Sequence, residues 1–113
     1  MGDITAMIKV KICGLKSKSS VQQAVLSGAD YIGFVFYNKS TRYINPIDAN
    51  HLSNLIPKKI KKVGLFVDVP LHELEAILTK TQLDYLQLHG QETPQIVTDL
   101  KRQFGIPIIK AIG

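Results

Sequence analysis

The chain has 113 residues, of which 45% are hydrophobic and 20% are charged, and this length and composition are typical of one globular domain. The chain has a single cysteine, Cys13, so an internal disulfide is excluded. We find neither a secretory signal nor an apolar run long enough to cross a bilayer. We therefore expect a cytoplasmic protein with no membrane partner. The net charge is +5, and four lysines cluster at positions 58–62. This basic run lacks aromatic residues and matches no nucleic-acid-binding module. We therefore predict that it is a solvated turn and that the protein has no nucleic-acid partner.

Five short apolar runs recur along the chain at nearly regular spacing, and their length and composition predict β-strands. They cover residues 8–13, 31–36, 62–67, 85–89 and 106–112. Residues 1–6 precede the first run and are interpreted as a polar leader or an added remnant, with Met7 as a candidate native start. The predicted domain is therefore residues 7–113.

Four segments with helix start and stop signals lie between these strands. The first predicted helix takes Ser19 or Ser20 as its N-cap, with a glutamine three positions later. The second and fourth begin with a capping residue followed by a proline, which favours the first helical position. Their starting pairs are Asn45-Pro46 and Thr93-Pro94. The expected bounds are 19–28, 45–57, 71–79 and 93–105.

Strict alternation of strands and helices predicts a parallel sheet covered by helices, because strands buried on both faces are apolar throughout. Doubly wound and barrel architectures both satisfy this pattern, and the periodicity does not choose between them. The sequence has no GxGxxG after the first strand and no GxxxxGK followed by serine or threonine. The phosphate loops that would favour a nucleotide-binding sheet are therefore missing.

Polar side chains interrupt three of the predicted strands. They are Lys9, Lys11 and Cys13 in the first strand, Gln87 and His89 in the fourth, and Lys110 in the fifth. Because alternate residues share one face of a strand, we expect these side chains to point inward in a barrel. Cys13 and His89 then end their strands at the mouth, where barrel active sites form. Each is followed by a glycine, which lets the backbone turn sharply.

Each polar residue also has a structural interpretation. Cys13 is a useful base only where a nearby positive charge favours its thiolate, and Lys11 would supply that charge. However, a cysteine at a strand end is often a small buried hydrophobic residue. Lys11 could instead pair with a carboxylate from another strand. His89 could be a hydrogen-bonded structural residue, and Gln87 could bond an unpaired backbone group.

The loop at 37–43 and the histidines complete the candidate ligand groups. Arg42 lies in this long loop, where it could hold a carboxylate through two hydrogen bonds or be a solvated charge. The three histidines, His51, His72 and His89, have no mutual ligand spacing, so we expect no metal site.

Four blocks of the sequence, in order, match a known family. They are KVKICGL at 9–15, GADYIGFVF with STRY between 28 and 43, KVGLFV at 62–67 and LQLHGQE at 86–92, with KAI at 110–112 as the fifth strand. These blocks resemble the phosphoribosylanthranilate isomerase family, whose KICG and QLHGxE stretches they contain. The resemblance covers residues 8–113.

The resemblance implies an α/β fold of the (β/α)8 TIM-barrel type, with residues 7–113 as the N-terminal partial barrel of a single domain, comprising five strands and four helices. It implies an Amadori rearrangement of a small-molecule substrate, N-(5-phosphoribosyl)anthranilate, in tryptophan biosynthesis, without cofactor or metal. Cys13 matches the family's catalytic base and Arg42 its ligand for the anthranilate carboxylate. Gln87 and His89 match positions that line the pocket. Lys11 and Gly14, which lie close to Cys13 in the sequence, are assigned supporting roles.

The chain also departs from the family pattern. The family's general-acid aspartate belongs to the sixth strand and its phosphate site to loops after the seventh and eighth, all beyond Gly113. A complete barrel has roughly 200 to 250 residues. Asp68, which follows the third strand, is not interpreted as a substitute acid, because Asp68-Val69-Pro70 is typical of a loop and helix-cap element.

These departures predict a chain that is inactive alone. Its edge strands and open inner face need a covering partner, either the missing C-terminal part or a second copy. The alternative function is a non-catalytic half-barrel that acts by self-association or by pairing with another chain. Other phosphosugar barrel isomerases are disfavoured by Cys13 together with Arg42 and Gln87.

Overall fold

The computed structural model describes residues 9–110. The predicted leader at 1–6, Met7, Ile8 and the predicted strand residues 111–112 lie outside the described residues. Strands and helices alternate as β1 (Lys11–Cys13), α1 (Lys18–Leu26), β2 (Tyr31–Val35), α2 (Pro46–Ser53), β3 (Lys61–Phe66), α3 (Leu71–Lys80), β4 (Tyr85–Leu88), α4 (Pro94–Phe104) and β5 (Ile108–Lys110). The predicted alternation is confirmed. Within the described residues, β1 and β5 begin later than predicted, β2 and β4 each end one residue earlier, and β3 is shifted one residue toward the N-terminus.

The five strands form one parallel sheet in the sequential order β1-β2-β3-β4-β5. A doubly wound sheet reverses its strand order at a switch point. In a barrel, each βα unit instead adds the next strand beside the last. The sequential order therefore favours the barrel, and it resolves the choice that periodicity left open.

The helix starts follow the predicted capping chemistry in two cases and depart from it in one. Asn45 accepts a hydrogen bond from the N–H of Asp48 at 2.9 Å, and Thr93 accepts one from the N–H of Ile96 at 3.2 Å. The N-cap of α1 is Ser17 and not Ser19 or Ser20, so that prediction was wrong. Ser17 has extended backbone and forms a capping box with Ser20. The N3 position of this box is therefore a serine, where we predicted a glutamine.

The helix ends also differ in one case. Gly105 closes α4 in the left-handed region at φ 66°, where glycine carries no steric penalty. The second helix, α2, ends at Ser53 and not near Pro57, because tight turns replace the helix at residues 54–56. The longest helix, α4, has 11 residues, and no helix within 9–110 has the length and apolar character needed to cross a membrane.

The hydrophobic core lies between the sheet and the helices. Its largest fully buried side chains include Phe34, Phe66, Leu74, Leu86 and Leu88. The opposite face of the sheet, which we call the inner face, is formed by the alternate strand residues that the parallel register sets side by side. It carries Lys11, Cys13, Gly33, Val63, Leu65, Gln87 and Ile109.

The basic run divides between a turn and a strand. Lys58 and Lys59 are exposed in the turn before β3, whereas Lys61 and Lys62 belong to β3. The predicted solvated turn is therefore confirmed for Lys58 and Lys59. Lys61 is also exposed but opens β3, one residue earlier than predicted, and Lys62 lies in the strand that was predicted to contain it.

Candidate active site

Cys13 ends β1 on the inner face, in a space that a neighbouring glycine leaves open. The register pairs Cys13 with Gly33 of β2. A Cβ atom at Gly33 would lie 2.8 Å from Sγ of Cys13, which is closer than real Cβ contacts. Gly33 was missed by the sequence reasoning, although a glycine inside an apolar strand is a recognised sign of close approach. The thiol is therefore partly buried in a slot that depends on Gly33.

Arg42 is brought to the same strand end by the loop after β2. The loop returns along β2 through the N–H of Ile44, which donates to the carbonyl of Val35 at 3.0 Å. A Cβ atom at Gly14 would lie 2.5 Å from Cδ of Arg42, so the arginine stem packs on this glycine, whose φ is +84°. Within residues 9–110 the guanidinium forms no ion pair. The stem of an arginine thus lies against the residue that follows Cys13.

Lys11, Gln87 and His89 form a chain of side chains across the inner face. The ammonium of Lys11 donates to Oε1 of Gln87, and Nε2 of Gln87 lies 2.7 Å from Nε2 of His89. Lys11 therefore bonds an amide and not the carboxylate that its structural interpretation required. Gln87 bonds two side chains and not an unpaired backbone group.

This chain of contacts also reports the curvature of the sheet. Lys11 lies on β1 and Gln87 on β4, with β2 and β3 between them. Along a flat sheet, three strand spacings would separate the two backbones by about 14 Å, and side chains that stand roughly perpendicular to the sheet would not meet across that gap. The contact therefore requires a sheet that curls toward its inner face, as a barrel wall does.

Lys110 does not lie on the inner face, and that prediction was wrong. The register pairs Lys110 with Leu88, a core residue, so its side chain leaves β5 on the helix side of the sheet. Its ammonium donates to the carbonyl of Gly90 at 2.6 Å and to Oε1 of Glu92 at 3.0 Å. The sequence of the predicted strand at 106–112 does not indicate which of its alternate positions face inward, because apolar residues occur at both sets of positions.

Glu92 is a buried acid that sequence reasoning did not single out. Its side chain is 4% exposed and pairs with Lys110. Burial by itself raises the pKa of Glu92, but the N–H of Asp68, the Lys110 ammonium and the N–H of Glu92 itself outweigh burial and hold the pKa below the ordinary value of 4.5. Glu92 is therefore a carboxylate at neutral pH.

Asp68, in the loop between β3 and α3, completes this cluster. Its backbone N–H donates to Oε2 of Glu92 at 2.8 Å, and its own carboxylate accepts from the N–H of Gln91 at 2.7 Å. The N-cap of α3 is Pro70, without a side-chain bond, so the predicted loop and helix-cap element at residues 68–70 is confirmed. Asp68 has a φ of 47°, a left-handed conformation that aspartate tolerates.

The Asp68–Glu92–Lys110 cluster fixes the turn that carries His89. It ties residues 90–92 to the end of β3 through Asp68 and to β5 through Lys110. A Cβ atom at Gly90 would lie 2.7 Å from the backbone nitrogen of Asp68, so this close approach requires glycine. His89 is thereby held at the same edge of the sheet as Cys13. Among residues 9–110, no group of three histidine, cysteine or acidic side chains could hold a metal ion.

Comparison with known sequences places the chain in one family. The family model for N-(5'-phosphoribosyl)anthranilate isomerase matches residues 10–113. The chain is 44% identical over 106 residues to N-(5'-phosphoribosyl)anthranilate isomerase of Paracoccus denitrificans, covering 94% of this chain and 49% of the relative. The corresponding protein of Streptococcus mutans is 46% identical over 106 residues, covering 94% of this chain and 52% of the relative. The chain spans about half the length of the curated relatives it matches.

Solved structures give the same result for the fold. Phosphoribosylanthranilate isomerase from Thermotoga maritima superposes with a TM-score of 0.88 at 39% identity, covering 95% of this chain and 51% of that one. The enzyme from Thermus thermophilus superposes with a TM-score of 0.86 at 32% identity, covering 93% and 52%. The predicted partial barrel is therefore confirmed.

Proposed function

The chain belongs to the N-(5'-phosphoribosyl)anthranilate isomerase family, and we propose that it supplies the N-terminal part of an enzyme that performs this isomerisation in tryptophan biosynthesis. The reaction is the Amadori rearrangement of N-(5-phosphoribosyl)anthranilate to 1-(2-carboxyphenylamino)-1-deoxyribulose 5-phosphate. The single observation that carries the proposal is the packing of the Arg42 stem on Gly14, the residue that directly follows Cys13.

Cys13 is proposed as the general base. After the furanose ring opens to a Schiff base, the Cys13 thiolate takes the proton from C2 of the sugar, and the electrons of that bond form the enol that becomes the product ketone. A carboxylic acid must protonate the ring oxygen during ring opening. Asp68 is not proposed for that role, because its carboxylate accepts the N–H of Gln91 and so holds the turn after β4.

Arg42, Gln87 and His89 are proposed as substrate-binding residues. Arg42 has the planar, two-pronged donor set that matches a carboxylate such as that of anthranilate. Gln87 and His89 lie on the opposite wall, joined to β1 through Lys11. Lys11 and Gly14 support the site, the lysine by bridging the two walls and the glycine by making room for Arg42. The proposed reaction uses no cofactor or metal, and a free thiol base suits the reducing cytoplasm.

The general acid and the phosphate site are proposed to come from the C-terminal part of the barrel. That part, or a second copy of the chain, would cover the inner face, where Ile109 is 41% exposed. One solved relative is described as a monomeric form of the dimeric isomerase of Thermotoga maritima. The second candidate function, a non-catalytic half-barrel that acts by association, is favoured by the same open inner face.

Turnover of N-(5-phosphoribosyl)anthranilate, followed by fluorescence, tests the proposal. We expect no turnover by the chain alone, and turnover when it is combined with the C-terminal half of the Paracoccus denitrificans relative. Cys13→Ala in the combined protein should abolish turnover, whereas Lys58→Ala, a substitution in an exposed turn, should leave it unchanged. Turnover that survives Cys13→Ala would refute the assignment of the base. A combined protein that assembles but never turns over would favour the non-catalytic half-barrel.

A further inference from the structure

The contact between Lys11 and Gln87 determines the orientation of the Gln87 side chain. A lysine ammonium has three donors and no acceptor. The atom of Gln87 that it contacts must therefore be the carbonyl oxygen, Oε1. The two ends of an amide side chain are otherwise hard to distinguish, and only such a partner assigns them. With Oε1 on Lys11, the amide nitrogen of Gln87 faces His89.

The orientation of Gln87 in turn determines the tautomer of His89. The amide nitrogen of Gln87 has donors only, and it lies 2.7 Å from Nε2 of His89. Nε2 of His89 must therefore accept this hydrogen bond and carry no proton. An imidazolium carries protons on both nitrogens and cannot accept it, so the contact selects the neutral ring with its proton on Nδ1.

We propose that Lys11 and Gln87 are positioning residues that hold His89 as a neutral Nδ1–H imidazole. Among residues 9–110, Nδ1 of His89 has no hydrogen-bond partner, so its N–H is available to a ligand. The ligand group that it fits is an oxygen acceptor, such as a carboxylate or a sugar hydroxyl. The identity of that ligand rests on the proposed function, but the tautomer does not.

Nitrogen NMR of the 113-residue chain, labelled with ¹⁵N at histidine, tests this inference. Two-bond ¹⁵N–¹H correlations distinguish the Nδ1–H and Nε2–H tautomers at about pH 8.5, where an ordinary imidazole is neutral. His51 and His72 are exposed helix residues without side-chain partners in the described part of the chain, so they serve as internal references. His89 should be in the Nδ1–H form, unlike both references.

Substitution of Lys11 separates positioning from a general structural effect. Lys11→Met should move His89 toward the tautomer mixture of His51 and His72, because Gln87 can then turn its amide. Lys11→Arg keeps a donor-only partner for Oε1 and should restore the Nδ1–H form. Lys16→Met, which removes the ammonium that donates to the carbonyl of Thr41, should leave His89 unchanged.

Two results would overturn the inference. One is a wild-type His89 with the same tautomer mixture as the references, and this result decides the matter even if Lys11→Met does not fold. The other is a folded Lys11→Met protein whose His89 signal is unchanged. Neither result depends on turnover, so the inference and the proposed function can fail separately.

Discussion

Three glycines at the site make room for neighbouring groups. Gly33 leaves space for the Cys13 thiol, Gly14 for the stem of Arg42 and Gly90 for the backbone of Asp68. In each case the shortest contact of an added Cβ would be 2.8 Å or less, so a larger residue requires a shift of its neighbour. At the scale of single residues, the geometry of the site therefore depends on missing side chains as well as on reactive ones.

Gly33→Ala should destabilise the protein by about 1–3 kcal/mol, because it overpacks the slot beside Cys13. Chemical denaturation measures the loss. In a Cys13→Ala background the same substitution should cost less, since the 2.8 Å contact to Sγ no longer exists and the next contact is 3.3 Å. Equal costs in the two backgrounds would show that Sγ does not occupy the slot.

Glu92→Gln should lower the free energy of unfolding at pH 7 by about 1–3 kcal/mol, because Lys110 and the N–H of Asp68 lose a charged acceptor. The pKa of Glu92 is lower in the folded state than its ordinary value of 4.5. The stabilisation is therefore complete above the unfolded pKa and is lost as the pH falls through the folded pKa.

Urea denaturation across a pH series checks this dependence. The difference in stability between the wild type and Glu92→Gln should be constant near neutral pH and should shrink as the pH falls below 4.5. Taking the difference removes the titration of the other carboxylates. A difference that grows toward acid pH would contradict the assigned direction of the pKa.

At the scale of elements, side chains outside the helices hold the helix ends and the strand ends together. Asn45 caps α2 and also donates to the carboxylate of Asp48 at 2.8 Å. Thr81, at the end of α3, donates to the carbonyl of Pro46 at 2.7 Å and so ties the start of α2 to the next helix. Loop 37–43, which carries Arg42, leads directly into this fixed point.

Asn45→Ala should destabilise the protein by about 1 kcal/mol, because the N–H of Asp48 loses its acceptor. Asn54→Ala is the matched control at the other end of α2, where the cap is made by backbone only. It should change stability by no more than about 0.5 kcal/mol. Thermal unfolding of the two variants compares them directly, and equal losses would argue against the cap.

At the scale of the whole molecule, the helices pack on one face of the sheet, and among residues 9–110 no helix covers the inner face. The strand order leaves β1 and β5 as edges. Ile109 lies on the inner face at the β5 edge and is 41% exposed. Exposed edges and apolar surface favour association, which is the physical basis for proposing a covering partner.

Ile109→Lys should weaken self-association of the 113-residue chain, because it places a charge on the uncovered inner face. Leu26→Lys is the control, since Leu26 is 82% exposed on α1, away from that face. Sedimentation velocity across a concentration series measures both. A wild-type chain that remains a monomer and unfolds cooperatively would contradict the need for a covering partner.

Several features of this protein were predictable from the sequence because their causes are local. Asn45-Pro46 and Thr93-Pro94 start helices through bonds that span three residues. The alternation of apolar strands and helices required a parallel sheet, and the KICG and QLHGxE stretches indicated the family. The serine-rich start of α1 was not predictable, because Ser17, Ser19 and Ser20 all suit an N-cap and only the backbone conformation selects Ser17.

The sequence by itself determined which elements form, in what order, and which strand ends carry reactive groups. Only the tertiary structure decided which groups meet. The partner of Lys11 is 76 residues away and depends on the curvature of the sheet. The face taken by Lys110 depends on the register between β4 and β5, and the burial of Glu92 depends on both neighbours of β4. Periodicity constrains residues a few positions apart, whereas register and curvature come from the packing of the whole sheet.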